Sequence, residues 1–261
     1  MLKTIILNYK MECDWLKYMG SKSRIVKDIV PIIQKYINDS GYKKYFEPFG
    51  GGMNVIVNID ADEKIASDYN KYLIALFKHL QSGGKLLDEV PRELYNDVRS
   101  TYKNSDCKYE DWFVGNVGFL ASYNGRFFDG GYSKSGYEKT KNGERYRDYY
   151  QESKNNILEQ VNKIKDIKFV VSDYRLFNPS GCVIYCDPPY QGTKKYDNAK
   201  NFDYDEFWNI IRKWSKDNIV IVSELNAPSD FKCIWEKNVS RTMKSTDNTM
   251  RADERMFIYN I

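Results

Sequence analysis

A chain of 261 residues, 42% hydrophobic and 29% charged, is sized for one α/β domain with or without a small insertion, and excludes two large enzymatic domains. Its net charge of +4 permits a nucleic-acid partner without demanding one. One histidine and five scattered cysteines, with no apolar run of about 18 residues, speak against a histidine base, a zinc site or a membrane helix.

The N-terminal MLKTIILNYK is too short for a signal sequence. A cytoplasmic protein with reduced thiols at Cys13, Cys107, Cys182, Cys186 and Cys233 is expected. After Gly20, apolar residues at Ile25, Ile29, Ile32 or Ile33 and Tyr36 fall at helical spacing. Ser21 or Ser23 is placed to cap that helix, Pro31 to kink it or mark a late first turn, and Gly41 to end it. Tyr45-Phe46 reads as a strand entering the turn Glu47-Pro48-Phe49-Gly50-Gly51-Gly52, after which MNVIVNI resumes as a helix or a buried run. Lys64 to Ser67 is a short strand ending at Asp68. Strand, glycine turn, second strand and acid form the plan of a nucleoside-binding half of an open parallel sheet.

Residues from about 72 to 110 read as mostly helical, with His79 a structural residue of the run YLIALFKHL, and the stretch after them does not. From Tyr123, YNGRFFDGGYSKSGYEKTKNGERYRDYY reads as loops and a hairpin, because Asn-Gly, Gly-Gly and Ser-Gly pairs interrupt its aromatic and basic residues. SKNNILEQVNKIK then reads as an amphipathic helix, IKFVVSD and CVIYCD as buried strands, and FDYDEFWNIIRKWSK as a helix. NIVIVSE and the closing RMFIYNI are further strands.

The stretch VIYCDPPY sets a buried strand directly against Asp187. A strand end of that kind puts a carboxylate where open α/β sheets bind their ligands. Pro188 and Pro189 remove two N–H donors and stiffen the backbone, leaving the Asp187 carboxylate and nearby carbonyls as a ledge of acceptors beside the Tyr190 ring. Such a ledge suits the exocyclic amino group of a planar base. Taken alone, the tetrapeptide fits a surface turn equally well.

Four motifs in order turn that balance. Tyr18-Met19-Gly20-Ser21-Lys22, the turn Glu47 to Gly52, Asp68 and Asp187 to Tyr190 resemble those of the amino-group DNA methyltransferases, and among them the Dam-like, D12-class N6-adenine enzymes. The resemblance implies that Tyr18 and Lys22 meet the methionine end of S-adenosylmethionine. It also implies that Glu47, Phe49, Gly51 and Gly52 form the methyl-donor turn and that Asp68 receives the ribose hydroxyls. Asp187, Pro188, Pro189 and Tyr190 become the catalytic ledge. Where the family's turn often runs Phe-x-Gly-x-Gly, the last glycine is here Met53. The turn is not the GxGxxG of a dinucleotide enzyme. Asp173 ends another strand and is expected at the donor's adenine amino group, whereas Ser223-Glu224 ends a third and has no assigned role.

The implied fold is α/β, a Rossmann-like class I methyltransferase sheet with an inserted small helical and hairpin target-recognition domain. Residues 1–72 and 152–261 would bind S-adenosylmethionine, and 73–151 would form the insertion. The implied activity is methyl transfer from S-adenosylmethionine to N6 of adenine in a specific double-stranded DNA sequence, with base flipping and without a metal. Candidate DNA contacts are Tyr123, Asn124, Arg126, Lys134, Arg145 and Arg147, with Lys139 and Lys141 beside them and Lys194, Lys195 and Lys200 after the ledge. Rival acceptors are cytosine N4, whose enzymes more often resemble Ser-Pro-Pro-Tyr, adenine in RNA, and a protein glutamine with its Asn-Pro-Pro-Tyr. A catalytically silent DNA-binding or phage-interaction protein would also keep the fold. The length leaves no room for a nuclease domain, so any restriction endonuclease partner would be a separate chain.

Overall fold

Continuous apolar runs such as Cys182 to Cys186 and Val220 to Val222 are buried at every position, as strands covered on both faces must be. The computed structural model describes residues 16–18, 20–140, 143–191, 202–241 and 250–260. In chain order its strands are β1 (Lys44–Glu47), β2 (Glu63–Asp68), β3 (Gly136–Thr140), β4 (Gly143–Arg147), β5 (Ile167–Val171), β6 (Cys182–Cys186), β7 (Ile219–Glu224), β8 (Phe231–Arg241) and β9 (Met250–Tyr259). Helices are α1 (Val26–Ser40), α2 (Lys71–Gln81), α3 (Arg92–Lys103), α4 (Asp111–Gly115), α5 (Tyr149–Gln160) and α6 (Tyr204–Trp214).

Seven strands form one sheet in the order β5-β2-β1-β6-β7-β9-β8, and β3 and β4 form a separate hairpin. The pairs from β5 to β7 are parallel, and β9 runs antiparallel to both β7 and β8. The order reverses between β1 and β6, which opens a crevice at the carboxyl ends of those strands. One face, with Tyr45, Tyr185, Ile221 and Met256, packs on α1, α2 and α5. The other, with Phe46, Ile184, Val222 and Phe257, packs on α6.

Several sequence expectations are corrected. Residues 111–120 are helical, α4 running on into a π-helical turn at Asn116–Leu120. Gly115 and Gly118 look like turn residues in sequence but serve close packing. A Cβ at Gly115 would lie 2.3 Å from the Tyr72 carbonyl oxygen, and one at Gly118 would lie 2.5 Å from the Phe127 ring. β8 was not expected, since FKCIWEKNVSR mixes charged and apolar residues as an edge strand does. β9 begins at Met250 rather than Arg255 and pairs along β8. MNVIVNI is a buried run with one 3-10 turn at Ile56–Asn58. Pro31 lies inside α1, and Gly41 ends that helix in a left-handed conformation, φ 71°.

Residue 72, where the first sheet segment is expected to end, lies within α2, a helix that touches both the sheet and α4. Phe77 stacks on Phe169 of β5, and the Gln81 amide donates to the carbonyls of Ile164 and Ile167 at 2.6 and 2.8 Å. His79 stacks on Trp112 at 3.8 Å between centroids, a structural contact. Cys107, Cys182, Cys186 and Cys233 are free thiols.

Candidate active site

Four neighbouring strand ends each deliver a carboxylate to the crevice or its floor. At the end of β1, Glu47 is only 2% exposed and accepts the Tyr45 hydroxyl at 2.7 Å. Burial raises its pKa to about 8, against the pull of the Tyr45 hydrogen bond. At the end of β2, Asp68 accepts Gly51 N–H at 3.0 Å through Oδ2 and Asn70 N–H at 2.8 Å through Oδ1. Its pKa is raised by burial, with those two backbone donors opposing.

Asp68 therefore anchors the glycine turn. Gly50 N–H also donates to Ser67 O at 2.7 Å, and Gly51 sits at φ 48° with Tyr18 so close that a Cβ would lie 3.0 Å from the ring. Met53, where the resembled motif has a glycine, adopts φ 59° and is fully buried. The chain keeps a glycine-like backbone there at a cost of order 1 kcal/mol. The Met53 side chain fills the space under Gly50, its Sδ 2.8 Å from where a Gly50 Cβ would stand.

Beyond β6, Asp187 lies in a ring of four side chains. Lys22 Nζ, held just before α1, is 2.8 Å from Asp187 Oδ1 and 3.9 Å from Glu254 Oε2. That ammonium also stands 4.5 Å from the centre of the Tyr190 ring. Tyr190, 8% exposed, donates its hydroxyl to Glu254 Oε2 at 2.7 Å. Burial pushes the Asp187 carboxyl up, Lys22 pulls it down, and the Glu254 charge pushes it up again. Tyr204 of α6 donates its hydroxyl to Pro189 O at 3.0 Å, so the ledge is tied from below. Glu224, at the end of β7, accepts N–H groups of Leu225 at 2.7 Å and Gln191 at 3.3 Å, and burial raises its pKa to about 7.

Phe49 and Asp173 stand apart from that ring. Asp173 caps a 3-10 turn and is gripped by Arg175, whose Nε and Nη2 lie 2.9 and 2.6 Å away and hold its pKa down. Phe49 packs with Tyr174 and Phe207 on the α6 side of the sheet.

The candidate DNA contacts divide. Tyr123 (53% exposed), Asn124, Arg126, Lys134 and Arg145 are exposed, and Asn124 adopts φ 53° at a tight turn that Gly125 presses against Lys17 O. Arg147, by contrast, is held by Glu152 and Glu138, and Tyr149 donates to Glu138. Arg147, Glu138 and Tyr149, with Lys17, Tyr123 and Asn124, line a cavity of about 180 Å³. Exposed Tyr137 and Tyr146 pair across β3 and β4 with centroids 5.3 Å apart. Lys141, Lys194, Lys195 and Lys200, like Met19, lie outside the described residues.

Sequence reasoning missed Glu254 and the Lys22–Asp187 pair. Arg255 is the partner of Glu224, the last residue of β7. Because β9 is antiparallel, Glu254 is the first residue past the carboxyl edge. By alternation it shares a face with buried Met256, the signal that a longer reading of the last strand carries.

The sheet order, with an antiparallel strand set between β7 and β8, is that of a Rossmann-like methyltransferase fold. Residues 18–231 match the model of the D12 class N6 adenine-specific DNA methyltransferases, and the chain belongs to that family. Among curated relatives, a DNA adenine methylase of Vibrio cholerae is 28% identical over 197 residues, 69% of this chain and 66% of that protein. The type II methyltransferase M.FokI of Planomicrobium okeanokoites is 23% identical over 76% of this chain but only 32% of its own length. The Retron Ec67 DNA adenine methylase of Escherichia coli is 27% identical, over 75% of this chain and 70% of its own. No helix among the described residues is long and apolar enough to cross a membrane.

Proposed function

We propose that the protein is a site-specific adenine DNA methyltransferase that moves a methyl group from S-adenosylmethionine to N6 of an adenine flipped out of duplex DNA. The observation that carries this reading is the placement of Asp187 at the carboxyl end of buried β6, against Lys22 and beside Tyr190.

The residues at the crevice suit the donor. Each Asp68 oxygen accepts one backbone N–H, which leaves a lone pair on each for ribose hydroxyls. Backbone of the Gly50 to Gly52 turn stands at the same edge, and on this reading Tyr18 and Lys22 would meet the methionine end. Asp173 could meet the donor's adenine only by sharing its carboxylate with Arg175. When bound, the donor supplies a methyl group already activated on a sulfonium.

The chain's own task is to prepare the acceptor nitrogen, whose lone pair is delocalised into the adenine ring. Asp187 accepts one amino hydrogen and the Pro188 carbonyl the other, which holds the nitrogen closer to tetrahedral and frees the lone pair for in-line displacement; the N–CH3 bond would form as the S–CH3 bond breaks, with one N6 proton lost to solvent during or after transfer. Lys22 meets the Asp187 carboxylate through Oδ1, so Asp187 receives the amino hydrogen on Oδ2 or by giving up the lysine contact. Tyr190 supports the flipped base, and exposed side chains of the region after α2, Tyr123 to Arg145, grip the duplex.

The test is methyl transfer from labelled S-adenosylmethionine to unmodified duplex DNA by the wild-type chain and by Asp187→Ala. The expected outcome is a loss of at least about a hundredfold in turnover, with donor affinity falling far less. Near-normal turnover of the variant would rule out Asp187 as the acceptor-binding group.

A further inference from the structure

Glu254 is a carboxylate placed beside another carboxylate. It comes from β9, antiparallel to the strands that deliver the other acids, and is only 13% exposed in its side chain. Bringing a second negative charge to Asp187 costs energy, raising the Asp187 pKa. A packing role would be served better by a neutral residue, and such costs gather at functional positions. What Glu254 gains is the Tyr190 hydroxyl at 2.7 Å, and Lys22 at 3.9 Å, while Lys22 stands 2.8 Å from Asp187.

We infer that Glu254 is a positioning residue of the active site, fixing the Tyr190 ring through its hydroxyl and offering Lys22 a second carboxylate when Asp187 turns to the target amino group. The inference rests on the reading of the Asp187 ledge given above. Two links follow from the geometry. A ring tethered at its hydroxyl presents one orientation to an incoming base, so less freedom is lost when the base stacks. The Lys22 ammonium lies between two acceptors, so leaving Asp187 does not strand it as a buried unpaired charge.

The two links are separable by substitution. Glu254→Gln keeps an oxygen to accept the Tyr190 hydroxyl and removes the charge offered to Lys22. Glu254→Ala removes both, and Tyr190→Phe removes the hydroxyl alone. Single-turnover methyl transfer and the KM for duplex DNA are measured for each, with donor affinity and thermal stability as controls.

Glu254→Ala is expected to slow transfer by about tenfold or more and to raise the duplex KM, leaving donor affinity within about twofold. Glu254→Gln should recover part of that loss. Tyr190→Phe combined with Glu254→Ala should lose less than the product of the two single losses, because both variants remove the same Tyr190–Glu254 hydrogen bond. Should the alanine variant lose stability, Glu254→Gln and Tyr190→Phe carry the comparison, each slower than wild type at unchanged stability. Wild-type rate and KM in the stable Glu254 variants, or losses that multiply in the double variant, would overturn the inference. Absence of methyl transfer by the wild-type chain would instead overturn the underlying reading, so the two failures are distinguishable.

Discussion

The carboxyl edge of the parallel sheet and the surface running from Tyr123 to Arg147 carry charge in opposite ways. At the edge, Glu47, Asp68, Asp187 and Glu224 are withdrawn from water and each is held by a named donor. Along the surface, Tyr123, Asn124, Arg126 and Lys134 stand in solvent, and the half-buried Arg147 is neutralised by Glu138 and Glu152. Carboxyl groups that are fixed and mostly buried suit chemistry, where small displacements are costly. Exposed cations and aromatic rings suit a long, hydrated polyanion. The molecule thus separates a rigid reacting edge from a surface whose contribution is electrostatic.

The largest expected effect that would sharpen this contrast is at the edge. Asp68→Ala removes the acceptor of two backbone donors and, on the proposed reading, of the donor's ribose. S-adenosylmethionine affinity measured by calorimetry should fall by roughly 30- to 100-fold, the scale of one or two charge-assisted hydrogen bonds, while duplex affinity changes little. An equal loss of both affinities would break the separation.

Next in size is a pH effect that only a dry edge produces. Glu47 holds its proton up to about 8 in the folded chain, against about 4.3 when unfolded. The native state thus binds more protons, and stability falls as pH rises between those values. The slope reaches at most about 1.4 kcal/mol per pH unit. Glu47→Gln, which still offers Tyr45 an acceptor, should flatten the slope in denaturant titrations, leaving the contribution of Glu224, which ends near pH 7. An unchanged slope would mean that Glu47 is ionised in the fold.

The smallest effect belongs to the surface. Arg145→Ala should weaken duplex binding severalfold at low salt and reduce the salt slope by about one, with thermal stability unchanged. Arg147→Ala should do the reverse, lowering stability more than it lowers the salt slope, because its charge serves Glu138 and Glu152. Identical behaviour of the two arginines would erase the distinction drawn between them.

Much of the edge was legible in sequence for a physical reason. Buried parallel strands are short continuous apolar runs, so the acids that end them, Asp68 and Asp187, stand out against their strands. The side-chain partnerships at that edge were not legible. Lys22 reaches Asp187 and Glu254 reaches Tyr190 across 165 and 64 residues of chain, and no local periodicity encodes such meetings. The helix at 111–120 was hidden because its glycines mimic a loop while serving close contact with Tyr72 and Phe127. Met53 hid a glycine-like backbone behind a bulky side chain, since φ follows from packing as well as residue type. β8 escaped because an edge strand needs no apolar run.

The measurement that tests the central claim most directly is the identity of the methylated atom. Unmethylated duplex DNA incubated with the protein and isotopically labelled S-adenosylmethionine is digested to nucleosides and resolved by mass spectrometry. The account predicts label in N6-methyladenine, in one sequence context. Label in N4-methylcytosine, or none from a folded protein that binds the donor, would contradict it.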